Sequence, residues 1–144
     1  MYQYQNFKSL LGTWVVGLII ALVINSCAGF QASVHSIGDK TYNALRTASR
    51  TADELVLTGV MTPGARKEFA GNIMVPALTM LEEAITATLE WKEGEPIPEA
   101  VAKLIGHLTK STDNILKSLG KESNLYNDLI KAKNSANEFL EAVN

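Results

Sequence analysis

The chain has 144 residues, 47% of them apolar, with 13 Lys and Arg against 15 Asp and Glu. That length holds one domain of ordinary size with a short appendage. A near-balanced charge with no basic cluster beyond Arg66-Lys67 excludes a surface built to attract nucleic acid.

The charge is unevenly placed. All 15 acidic residues, and every Lys or Arg except Lys8, lie at or beyond Asp39. From Ser9 to Gly38 there is no charged side chain. Within that window the apolar run Leu10–Ile24 includes Leu10, Trp14, Val16, Leu18, Ile20, Leu22 and Ile24. A helix crosses a bilayer core with about 20 apolar residues. The strict run falls short of that figure, and Leu10–Phe30 reaches it once small residues are admitted. Trp14 and Phe30 near its two ends suit the membrane interface, as do Tyr2, Tyr4 and Phe7 ahead of it. Residues 1–30 are therefore expected to act as a membrane anchor or signal, and residues 31–144 to form a separate helical domain.

Three fates of this leader are compatible with its residues. Ile24-Asn25-Ser26-Cys27 resembles the bacterial lipobox, in which a small residue precedes a cysteine that becomes lipidated. Asn25 departs from that pattern. Cys27 is the sole cysteine, so it is a lipidation candidate and has no partner for an internal disulfide. Ser26-Cys27-Ala28 also offers the small residues of a cleaved secretory signal. The third fate is an uncleaved anchor. Each removes the chain from the free cytosol unless an uncleaved anchor faces inward, and the bundle is expected on the periplasmic or extracellular side.

Four helical patterns follow. Val34, Ile37, Thr41, Leu45, Ala48, Ala52 and Leu55 step by threes and fours along one stripe, which Gly59 and Pro63-Gly64 end. The leader runs into this stripe without a strong breaker, and Gly29 and Gly38 are the places where a continuous helix would bend. Thr62-Pro63 opens the second pattern, a hydroxyl for the free amides followed by a proline with no amide to satisfy. Its apolar face extends to about Lys92 and includes Phe69, Ile73, Met74, Ala77, Leu81 and Ile85. Pro76 interrupts it and predicts a kink or a late helix start, because the Asn72 carbonyl loses its donor. Glu93-Gly94-Glu95-Pro96 ends this pattern. The third runs from Pro98 through Val101, Leu104, Ile105, Leu108, Thr112, Ile115 and Leu119 to Gly120. The fourth begins near Ser123 and carries Leu125, Leu129, Ala132, Ala136, then Phe139 or Leu140, and Val143. With short connections and no period-two stretch, the expected fold is all-α, an antiparallel bundle of about four helices.

Few residues suggest chemistry. His35 and His107 belong to no metal spacing: Asp39 lies four residues from His35, but zinc requires three or four ligands. Asp53-Glu54 and Glu82-Glu83 are adjacent pairs, which on a helix diverge by about 100° and so do not converge as acid and base. The stretch from Gly59 to Gly64 lacks the Lys-Ser/Thr of a phosphate loop. No catalytic, metal or cofactor residue is assigned, and an enzyme is not expected. Trp91, at the end of the second pattern, either caps the core or anchors a partner.

The expected role is a membrane-tethered structural or protein-interaction module, binding another protein or copies of itself. Two alternatives use the same residues differently. In a holin-like protein the leader itself assembles in the bilayer, using Gly12, Thr13, Gly17 and Ala21 as close-packing positions. A lipoprotein would instead hold a small ligand between its helices.

Overall fold

The computed structural model describes the backbone from residue 3 to residue 144 and the side chains from residue 27 onward. Its elements are α1 (Gln3–Leu57), α2 (Pro63–Phe69), a π turn (Ala70–Met74), α3 (Val75–Glu90), α4 (Glu99–Leu119) and α5 (Asn124–Ala142). No strand occurs among the described residues. The chain divides into two units, Met1–Ser33 and Val34–Asn144. The second is the helical bundle expected from the four apolar patterns.

The helix ends are set by local chemistry. Thr62 caps α2 by accepting the Ala65 amide at 3.1 Å, and Ser123 caps α5 by accepting the Leu125 amide at 3.2 Å. Gly120 ends α4 with φ 80°, a left-handed conformation that costs glycine nothing, and its amide closes onto the Leu116 carbonyl at 2.9 Å. Gly59, at φ 75°, serves the same purpose after α1. Gly29 and Gly38, the expected bending points, both lie within α1 and neither ends it.

α2, the π turn and α3 follow one another without a break, so Pro76 neither stops the helix nor delays its start. The Val75 amide donates to the carbonyl of Ala70, five residues back, which widens the turn just ahead of the proline. An α-helix would press the proline ring onto the carbonyl four residues earlier, and the wider turn makes room for it. The positions whose carbonyls lose a donor, Gly71 and Asn72, are exposed to water. The buried stripe records the same insertion. It advances by threes and fours from Met74 through Ala77, Leu81, Ala84 and Thr88, but by five from Phe69 to Met74.

Around the core, α4 packs on both α3 and α5. α1 reaches α5 through Lys40–Glu138 at 2.8 Å and through Thr51–Asp128 at 2.6 Å. The order of these two contacts makes α1 and α5 antiparallel. On its other side α1 meets α3 where Gly38 lies against Ile85: a Cβ added at Gly38 would sit 2.6 Å from Ile85 Cδ1. The Arg66 guanidinium ties α2 to α1, donating to Asp53 at 2.7 Å and to Ser49 at 2.9 Å. Fully buried side chains include Leu45, Leu104, Leu108, Leu125, Leu129 and Phe139.

Two outcomes test this packing in denaturant unfolding. Leu104→Ala, at the centre of α4, is expected to cost ~2–5 kcal/mol. Gly38→Ala adds about 1 kcal/mol of helix propensity and loses it against Ile85. In an Ile85→Val background, which removes Cδ1, the same substitution should raise the unfolding midpoint.

Candidate functional site

A groove of the bundle lies between the start of the second helix and α4, with a volume of about 580 Å³. Met61, Phe69 and Ile73 form one wall, and Ile115 and Leu119 extend the apolar surface on α4. Polar groups run along the α4 side: His107, Ser111, Asn114 and Ser118, spaced by threes and fours. Glu68 and Lys110 bring one charge of each sign to the lining. The π turn positions this opening. α3 packs along α4, whereas the π turn touches α4 only sparsely, and the groove lies alongside α2 beyond it.

His107 marks the junction. Its Nε2 lies 3.0 Å from the Ile73 carbonyl, within the π turn. A carbonyl can only accept, so Nε2 carries the proton, and in neutral imidazole Nδ1 is left as an acceptor. Four residues on, Ser111 is only 3% exposed. Sequence patterning missed Ser111 and placed Thr112 in the core stripe instead. Both are buried, but the Thr112 hydroxyl donates to the Leu108 carbonyl at 2.6 Å, whereas that of Ser111 has no partner among the described residues. The available signal was its spacing, four residues after His107 and three after Leu108.

A second buried polar group, Asp128 on α5, is 7% exposed and accepts the Thr51 hydroxyl at 2.6 Å. It joins two helices and has no further ionisable group converging on it to make a reactive pair. Asp53 is occupied by Arg66, and Glu54, Glu82 and Glu83 are exposed. His35 and Asp39 are both exposed as well. Among the described residues no group of three or more His, Cys, Asp or Glu could hold a metal ion. Among the described residues the one perturbed ionisable group is Lys103, held above the ordinary lysine range by its hydrogen bond to, and the charge of, the Glu99 carboxylate. The two lie on an exposed face of α4, 3.0 Å apart.

Trp91 follows α3 and is half-buried, its indole N–H donating to the Glu95 carbonyl at 3.1 Å. The Glu95 carboxylate in turn accepts the Lys92 amide at 3.1 Å, so the acidic loop folds back on the tryptophan. Cys27 is a free, exposed thiol, and Phe30 is half-buried. The side chains of Leu10, Trp14, Val16, Leu18, Ile20, Leu22 and Ile24 lie outside the described residues. Among the described residues no helix is long and apolar enough to cross a membrane.

The Thr51–Asp128 bond gives a direct test. Thr51→Val removes the donor and keeps the shape, and unfolding should show a loss of about 1–3 kcal/mol, the cost of a buried acceptor left unmet. Thr47→Val, one turn earlier on the exposed side of α1 where the hydroxyl only bonds the Asn43 carbonyl, should stay within about 0.5 kcal/mol of the parent. No protein-family model, curated protein or solved structure matches this chain.

Proposed function

We propose that this protein is a membrane-tethered, non-enzymatic helical bundle that acts as a structural or protein-interaction module, with the bundle outside the cytoplasm. The observation that carries this reading is the charge-free window from Ser9 to Gly38 joined to an amphipathic bundle. A run such as Leu10–Ile24 is costly to leave in water, since each large aliphatic side chain gains ~1.5–3 kcal/mol on leaving it. Among the residues whose side chains are described, the buried positions begin at Val34. This supports lipid as the solvent for the run.

The interaction role is supported by apolar side chains that the bundle leaves in water. Leu57, Val60 and Val75 are 86%, 59% and 60% exposed. Tyr42, Leu78, Ile97 and Leu116 are exposed too. Leu57 and Val60 flank the turn after α1, where a partner or a second copy would cover both.

Membrane fractionation of the full chain tests the tether. The protein should sediment with membranes, resist alkaline carbonate and be released by detergent. Introducing Leu18→Lys and Leu22→Lys adds ~2.5–3.5 kcal/mol per lysine to the insertion cost and should move the chain to the soluble fraction with its helix content retained. Recovery of the unaltered chain in the carbonate supernatant would sink the tether. If residues 9–30 are replaced by an unrelated spanning helix, crosslinked partners should persist. Their loss would instead assign the activity to the leader.

A further inference from the structure

We propose that the groove between α2 and α4 is a binding site for a small, uncharged organic molecule with an apolar body and one hydroxyl or amide group. The site stands on bundle residues alone and does not require the tether. A volume of about 580 Å³ lies in the range of small-molecule sites, roughly 300–1,000 Å³. Its floor is apolar, from Met61, Phe69 and Ile115, which suits a hydrocarbon or aromatic body.

The polar requirement comes from Ser111. Buried hydroxyls elsewhere in this bundle are satisfied within their own helices: Thr41 by Ile37, Thr88 by Ala84 and Thr112 by Leu108, at 2.6–2.9 Å. Ser111 is buried to the same degree, yet its hydroxyl has no partner within the described residues. Among the described residues no buried side-chain oxygen is sealed off without a bond, so this hydroxyl opens onto the groove its residue lines. His107, one turn away, has Nε2–H committed to Ile73, which leaves Nδ1 as an acceptor. Ser111 can donate to and accept from a ligand, and Nδ1 can only accept. Together they match a hydroxyl or amide, which donates and accepts at once. Glu68 and Lys110 lie in the same lining with opposite charges, so the groove has no net preference for an anion or a cation.

The experiment uses the full chain in lipid nanodiscs, with 1-naphthol as probe and 1-methylnaphthalene as the matched compound lacking the hydroxyl. Methyl NMR of Met61 and Ile115, together with the His107 ring signals, reports occupancy at the site itself and is independent of whether residues 9–30 enter the lipid. 1-Naphthol should shift these signals saturably. Ser111→Ala should weaken its binding about five-fold, the scale of one hydrogen bond, and leave 1-methylnaphthalene unaffected. Ala65→Trp, which fills the groove from an exposed position, should abolish the response with helix content unchanged. The site is refuted if the signals do not saturate, if 1-methylnaphthalene binds as tightly as 1-naphthol, or if Ser111→Ala binds 1-naphthol like the parent.

Discussion

The bundle depends on alanines set among large side chains across its core. Ala48 and Ala52 on α1, Ala77 and Ala84 on α3, and Ala132 and Ala136 on α5 are buried, as are Leu45, Leu81, Leu125, Leu129 and Phe139 of the same helices. α4 buries no alanine and presents Val101, Leu104, Leu108 and Ile115 inward. Small residues let helix backbones approach, and the large side chains of all four helices fill the space that remains, as dense interior packing requires. Close approach has a consequence where α1 meets α3: a Cβ at position 38 would meet Ile85 Cδ1 at 2.6 Å, so that side chain would have to shift. The glycine that reads in sequence as a place for a bend is a packing residue within an unbroken helix.

Polar groups inside this core follow a different economy from those at its rim. The buried threonines bond carbonyls one turn back, so each behaves outwardly as a valine-shaped filler with its hydroxyl satisfied locally. Asp128 is the exception that crosses between helices, and its partner Thr51 fixes α5 against α1 at one register. A sliding of either helix by a turn would leave a buried carboxylate without its donor, which low dielectric makes expensive. The rim contacts, Lys40–Glu138 and Arg66–Asp53, involve exposed carboxylates and contribute little beyond orientation.

Most of the helical architecture was legible in the residues, because apolar periodicity, a hydroxyl cap and a glycine stop act locally. Thr62, Ser123 and Gly120 perform the roles their types suggest. The response to Pro76 was only half legible. Periodicity cannot choose between Ile73 and Met74 as the inward residue, since both are apolar. The choice is made by the π turn, which inserts one residue into the stripe and turns Met74 inward. The groove was not legible at all, because it results from two helices failing to pack, and no window of one helix encodes that. By spacing His107 lies next to Leu108 of the apolar stripe, and only the fold reveals that it bridges to the π turn.

The charge-free window shows how pattern and packing divide one stretch of sequence between two environments. Ser9–Gly38 reads as a single block by charge alone. Its last residues nevertheless belong to the bundle: Val34, Ile37 and Gly38 are buried there, and they begin the stripe that continues through Thr41 and Leu45. Gln31, Ala32 and Ser33, just before them, are exposed. The absence of charge at residues 34–38 thus has two causes. Inward positions are apolar because they pack, and outward positions such as His35 and Ser36 are polar side chains that are not Asp, Glu, Lys or Arg. A segment proposed to enter lipid must therefore end before Val34. The membrane reading rests on Leu10–Phe30, the apolar stretch that precedes these packed positions in the sequence.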